Sequence, residues 1–83
     1  MKRFKNNSWL ISINGTIFYI IRDRTNYRNV ADYNESHKVE AVSIVDRSVT
    51  FQSEGIISAP EFWYKYKPTE KDFRRVMKAV FRK

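Results

Sequence analysis

Polar and apolar positions in the first quarter of the chain follow the short alternating runs that are typical of β-strands. Two β-rich runs, 8–13 and 16–22, flank Asn14-Gly15, a dipeptide that favours a two-residue type I′ turn because both positions need positive φ. We therefore predict a β-hairpin over 8–22 with apolar residues on both faces, which is either central in the sheet or has one face covered by another element. The turn sets a register that pairs Ile13 with Thr16, Ile11 with Phe18 and Trp9 with Ile20.

Residues 23–38 form a polar excursion rich in the Asn, Asp and Ser residues that favour turns. Such a long connection is uncommon in a compact domain unless it is functional or contains a hidden element, such as a short strand near 27–30. Further strands are predicted within 39–67. Their runs are 39–45, 49–53, 56–58 and 62–67, separated by turn residues and by Pro60.

The strongest local signal is a C-terminal helix over 69–83. Thr69 is a good N-cap, and Asp72 three residues later completes a capping box. Apolar residues then recur at i, i+3, i+4, i+7 and i+8, the spacing of one buried stripe. These residues are Phe73, Val76, Met77, Val80 and Phe81. The predicted fold class is α+β, a twisted antiparallel sheet of about five strands with this amphipathic helix packed on it.

Composition adds a strong charge asymmetry to this picture. The 83 residues support a single domain, 1–83, and the absence of cysteine excludes disulfides and cysteine-based metal sites. The net charge is +7: the basic N-terminal segment 1–7 holds three cations, 70–83 holds six basic against two acidic residues, and the rest is balanced. The net charge therefore lies at the two ends, which informs us about partners rather than about the fold.

The apolar stretch 9–21 follows a basic start, as in a signal peptide. It is interrupted by Ser12, Asn14, Gly15 and Thr16, and no small-residue cleavage pattern follows it. We therefore expect neither secretion nor a membrane span, and a cytoplasmic protein.

Four cations of the predicted helix fall on one side of it. Lys71, Arg75, Lys78 and Arg82 recur at i, i+4, i+7 and i+11, with Arg74 beside them. Such a ridge can follow a phosphate backbone, because each cation that neutralises a phosphate releases counterions. A solvated helix face is the alternative, although acidic residues usually share such faces and none follows Asp72 here.

The segment 62–67 interleaves aromatic residues with lysines. On a strand, Phe62, Tyr64 and Tyr66 would share one face, while Trp63 would share the other with the lysines. An open Trp between lysines could stack on a base or anchor an interface. Alternatively, the first three are core and the lysines protect an edge strand.

Catalytic motifs are weak. His37 is the only histidine, and we expect it on the surface of the excursion, without the partners of a triad or a metal site. With two glycines, the chain has no phosphate-binding glycine loop. We predict no enzymatic activity, no metal and no cofactor.

Two functions compete on this sequence. The first is a small basic module that docks nucleic acid or the acidic surface of a nucleic-acid-handling protein through Lys71, Arg74, Arg75, Lys78 and Arg82, helped by Lys2, Arg3 and Lys5. The second is a protein-binding regulator or inhibitor, of the kind that phages and mobile elements encode, with an aromatic contact formed by Trp63, Tyr64, Tyr27 and Tyr33. The sequence leaves open the contact surface, the partner and the oligomeric state.

Overall fold

The computed structural model describes residues 3–28 and 36–82. They form one open five-stranded antiparallel sheet in the order β4-β3-β2-β1-β5, with one helix packed on it. The elements are β1 (Ser8–Ile11), β2 (Ile17–Asp23), β3 (Ser36–Val45), β4 (Ser48–Ser58), β5 (Tyr64–Lys65) and α1 (Glu70–Arg82). The predicted α+β class, the five antiparallel strands and the C-terminal helix are confirmed.

The predicted hairpin exists, but its predicted register is wrong by one residue. Gly15 has φ of 89°, whereas Asn14 keeps negative φ, so these residues do not form a type I′ turn. The Ser12 amide donates to Thr16 O at 2.9 Å, and the Gly15 amide donates to Ser12 O at 3.0 Å. These bonds define a three-residue loop that ends in a left-handed glycine. The observed pairs are Ser8–Ile20, Trp9–Tyr19, Leu10–Phe18 and Ile11–Ile17.

The two-residue turn with positive φ at both positions lies instead between β3 and β4. Asp46 has φ of 48° and Arg47 has φ of 69°, and Val45 pairs with Ser48 on either side of them. This is the backbone pattern of a type I′ turn. Neither residue is a glycine, so both side chains are held in a conformation that L-amino acids rarely adopt.

Strand boundaries differ from the prediction in three places. The polar excursion is shorter, because β2 extends to Asp23 and β3 begins at Ser36; residues 27–28 form a turn, and 29–35 lie outside the described residues. The predicted turn at 54–55 is absent, since β4 continues through it with an irregular register. A 3₁₀ helix, Pro60–Phe62, shortens the predicted last strand to the two residues of β5.

Each face of the sheet contributes to its own core cluster, in agreement with the apolar residues on both faces of the hairpin. One face packs under α1 through Tyr19, Val42, Ile44 and Val76. The other face buries Phe18, Ile20, Val39 and Ala41 beneath Phe4 and Ile57, with Leu10 and Trp63 packed at its border.

The start of α1 follows the sequence signal, and its predicted buried stripe is confirmed in part, because Val76, Met77 and Val80 pack on the sheet. The Asp72 amide donates to Thr69 Oγ1 at 3.1 Å, which confirms the predicted N-cap. Val76 is fully buried, whereas Phe73 is 48% exposed and Phe81 is 83% exposed. Successive helix positions are 100° apart, so Phe81 points roughly 140° away from Val76. The prediction that Phe81 is core is therefore wrong.

Candidate functional site: a basic groove between the helix and the edge strand

The cationic ridge of α1 consists of Lys71, Arg75, Lys78 and Arg82. Lys71, Lys78 and Arg82 are exposed, and Arg75 is half-buried. The four positions lie within roughly 60° of one another around the helix and extend over about 16 Å along it. Among the described residues of α1, the acidic ones are confined to Glu70 and Asp72 in the first turn.

The ridge borders a groove whose opposite wall is the edge strand β4. The groove has a volume of about 560 Å³. It is lined by Arg75, Lys78, Ala79 and Arg82 of α1, by Val49 and Phe51 of β4, and by Arg47 of the β3–β4 turn. We call this surface the basic groove. Its lining within the described chain includes four cations and no carboxylate, so its potential is strongly positive.

Arg47 is the groove residue that the sequence reasoning missed. The sequence places it among the turn residues between the strand runs 39–45 and 49–53. The signal that could have drawn attention to it is the Asp46-Arg47 pair, which occupies a turn where Asn-Gly is preferred. A residue kept in a left-handed conformation against its own preference often serves a function. Here that conformation belongs to the residue that adds a fourth cation to the groove.

Arg74 lies beside the ridge rather than in the groove. Its guanidinium forms a hydrogen-bonded ion pair with Glu70 one turn earlier, and both side chains are exposed. The two residues line a separate depression along α1 together with Lys71, Arg75 and Lys78. Because of this pairing, we expect Arg74 to add less to the positive potential than its neighbours on the ridge.

Among the predicted N-terminal cations, Arg3 and Lys5 lie away from the helix ridge. They line a separate cavity of about 400 Å³ with Lys65 of β5. This cavity lies at the β1–β5 edge, whereas the basic groove lies at the β4 edge of the sheet. The two sets of cations therefore do not form one surface. Lys2 lies outside the described residues.

The aromatic residues of 62–67 fit neither of the two alternatives in full. Trp63 is half-buried: its ring lies 5.0 Å from that of Phe18, and its Nε1 donates to Ser58 O at 3.1 Å. Phe62 and Tyr64, which the second alternative placed in the core, are each 63% exposed. The reason is the 3₁₀ helix, which interrupts the strand alternation on which the prediction depended. Of the two, Tyr64 remains available as a contact residue.

Tyr27 belongs to a buried polar cluster rather than to an open aromatic surface. Its hydroxyl donates to Asp23 and lies 3.0 Å from Nδ1 of His37. His37, predicted to be on the surface, is only 2% exposed, because it lies on β3 and its ring packs edge-on against Phe4. The guanidinium of Arg3 lies 4.3 Å above the Tyr27 ring. The fourth predicted aromatic contact, Tyr33, is outside the described residues.

Asp23 is the acceptor at the centre of this cluster. It receives hydrogen bonds from the Phe4 amide at 3.1 Å, from the Thr25 amide at 3.0 Å and from the Thr25 hydroxyl at 2.6 Å, besides that of Tyr27. Burial alone would raise the pKa of Asp23, but these hydrogen bonds outweigh it and lower the pKa below its ordinary value. Burial raises the pKa of Tyr27 to about 12, and the hydrogen bond to Asp23 acts in the same direction.

The described residues contain no group of three or more His, Asp or Glu side chains that could hold a metal ion. In the same part of the chain, no helix is long and apolar enough to cross a membrane. No protein-family model, curated protein or solved structure matches this chain. The functional argument therefore depends on the groove itself.

Proposed function

We propose that this protein is a non-enzymatic module that binds the phosphate backbone of nucleic acid in the basic groove. The observation that supports the proposal is the convergence of cations from two separate elements. Arg75, Lys78 and Arg82 come from α1, and Arg47 comes from the β3–β4 turn. A solvated helix face, the alternative interpretation of the ridge, needs no matching cation on the facing turn.

The shape of the site suits a polyanion better than a single small anion. The cations border an open groove, and those of α1 continue along the helix as far as Lys71. A phosphate backbone presents charges at regular intervals, and each neutralised phosphate releases counterions. If the four groove cations each contact a phosphate, the logarithm of the affinity should fall against the logarithm of salt concentration with a slope of about −3.6 on duplex DNA. On single strands the slope should be about −2.8.

A mobility-shift or anisotropy titration over a range of salt concentrations tests this proposal, with duplex DNA, duplex RNA and single-stranded oligonucleotides as separate probes. We expect the double substitution Lys78→Gln/Arg82→Gln to reduce the magnitude of the duplex DNA slope by about 1.8, because two phosphate contacts are lost. The charge reversal Lys78→Glu/Arg82→Glu should abolish binding, and circular dichroism should show that the domain remains folded.

The matched control is Lys65→Glu/Lys67→Glu, which changes the net charge by the same amount near the opposite edge of the sheet. If binding depends on the groove, this control retains the wild-type salt slope and most of the affinity. Equal losses in both reversed proteins would show a non-specific effect of net charge. Salt-independent binding, or no binding to any probe at low salt, would contradict the proposal.

A further inference from the structure

A second exposed surface lies on the other flank of α1. Phe73, Met77 and Phe81 lie at i, i+4 and i+8 on this flank; Phe73 and Phe81 are exposed, whereas Met77 is half-buried against the core under α1. The helix packs on β4 and β3, so this flank faces the half of the sheet that contains β2, β1 and β5.

That half of the sheet is apolar and only partly covered. Trp9 of β1 and Ile17 of β2 are half-buried and pack against the same core cluster as Met77. The Trp9 ring stacks on Phe73 with 6.3 Å between ring centres. Tyr64 continues the surface, because it pairs with Ile11 on the β1–β5 edge. We call this surface the apolar trough; it consists of Trp9, Ile17, Tyr64, Phe73, Met77 and Phe81.

The apolar trough concentrates exposed apolar area in one place. Among the described residues, seven large hydrophobic side chains are exposed, and three of them, Tyr64, Phe73 and Phe81, belong to this surface. Single exposed hydrophobic residues need no explanation, but several exposed aromatic side chains on the same side of the sheet, beside half-buried Trp9 and Ile17, are typical of an interaction site. Aromatic side chains in such a setting are typical interface anchors.

The charged residues around the trough restrict which kind of partner can bind there. Lys78 is about 60° from Phe81 around the helix, and Arg74, paired with Glu70, is closer still. The described residues of β1, β5 and the 12–16 loop include no carboxylate, and Asp72 lies roughly 180° from Phe81 around the helix. The uncompensated charge at this border is therefore positive.

We propose that the apolar trough docks an acidic amphipathic segment of another protein, with its apolar residues in the trough and its carboxylates facing Lys78 and the ridge. The rise from Phe73 to Phe81 is about 12 Å, which matches about two turns of a docked helix. A second copy of this chain, also at +7, would meet like charge here. Tyr64 and Phe81 also offer exposed rings on which bases can stack, so the experiment includes a single-stranded oligonucleotide as the competing ligand. This inference does not depend on the proposed function of the basic groove.

Selection from a display library of random peptides about 15 residues long tests the proposal, with the complete chain as bait. We expect the selected peptides to combine apolar residues at i, i+3 or i+4, and i+7 with several carboxylates. The test variant is Tyr64→Ala/Phe81→Ala, and both side chains are exposed enough for the fold to persist. Affinity for a selected peptide should fall at least about tenfold in this variant. It should fall less than about twofold in the control Phe62→Ala, equally exposed outside the trough.

Three outcomes would overturn the proposal. The first is a selection that returns no peptides, or only peptides without carboxylates or without apolar spacing. The second is an equal loss of peptide affinity in Phe62→Ala and in the trough variant. The third is a loss in the trough variant of affinity for anionic phospholipid vesicles or a single-stranded oligonucleotide, or of self-association by sedimentation, with peptide affinity unchanged. The trough variant leaves all four cations of the basic groove in place, so nucleic-acid affinity and peptide affinity can be compared in the same protein and each proposal can fail alone.

Discussion

The two ends of β3 differ in the surroundings of their charged and polar side chains. At one end, Asp23 and His37 are buried with Tyr27, and the Asp23 carboxylate accepts four hydrogen bonds. At the other end, Arg47 joins the cations of α1 around an open groove whose described lining has no carboxylate. The comparison separates polar groups whose partners lie within the protein from charged groups that line an open groove.

This difference predicts where each end contributes free energy. Breaking a buried, hydrogen-bonded charge leaves its partners unsatisfied and destabilises the fold, whereas an exposed cation contributes little to stability. The two ends of β3, from His37 to Val45, are about 26 Å apart, so substitutions at the two ends should be additive in the free energy of unfolding.

The largest expected effect is at the buried end. Replacing Asp23 by Ala leaves the Phe4 amide and the Thr25 hydroxyl without their acceptor, so we expect a loss of about 3 kcal/mol in the free energy of unfolding. Urea denaturation at neutral pH measures this loss. The control Glu61→Ala, which removes an exposed carboxylate, should change stability by less than about 0.5 kcal/mol. Similar losses in both variants would remove the distinction between the two ends.

The same carboxylate makes stability dependent on acid. The pKa of Asp23 is lowered in the folded protein, so its stabilising contribution is complete above the unfolded value of about 4 and is lost as the pH falls through the folded pKa. Wild-type stability should therefore fall below about pH 4, and this part of the fall should be absent in Asp23→Ala. An identical acid profile in the two proteins would contradict the assignment.

A smaller effect, on the alkaline side, is expected at Tyr27. Its folded pKa of about 12 lies above the unfolded value of about 10, so its contribution is present below pH 10 and is lost as the pH rises towards 12. Tyr27→Phe should cost roughly 1 kcal/mol at neutral pH and should reduce the alkaline loss of stability. Part of that loss should remain, because the pKa values of Tyr19 and Tyr66 are also raised. Unfolding followed by tyrosinate absorbance provides the measurement.

The smallest change in stability, with the opposite sign, is expected at Arg47. Its φ of 69° suits glycine, so Arg47→Gly should stabilise the domain by roughly 0.5–1 kcal/mol. If the groove binds nucleic acid, the same substitution should weaken binding and reduce the magnitude of the duplex DNA salt slope by about 0.9. A variant that is more stable and binds equally well would show that Arg47 has only a structural role in the turn.

The sequence predicted those features that depend on residues close together in the chain. The predictions that are wrong concern features that depend on contacts between residues far apart in the sequence. Thr69 could be recognised as an N-cap because its partner is three residues away. By contrast, no local pattern shows which side of α1 faces the sheet. For this reason the prediction that Phe81 is core is wrong. The predicted hairpin register is wrong for a related reason, because Asn14-Gly15 is compatible with two loop lengths that differ by one residue.

The candidate site follows the same rule. The alignment of Lys71, Arg75, Lys78 and Arg82 is a property of one helix, so spacing alone predicted it. The contribution of Arg47 depends on how α1 lies across the sheet, and the burial of His37 depends on strand pairing and on Phe4 packing over it. Both depend on the tertiary arrangement, which local patterns in the sequence do not predict.

The position of β4 has a consequence for the solubility of the protein. This eleven-residue strand lies at the edge of the sheet, and Glu54 is its only charged residue. A long edge strand with few charges is a template for strand addition, which proteins commonly oppose with nearby charge. The cations beside β4 therefore oppose pairing of this edge strand with the same strand of a second copy, because the two copies repel each other there. A ligand that neutralises the groove removes this repulsion, so the edge strands of two copies can then approach each other.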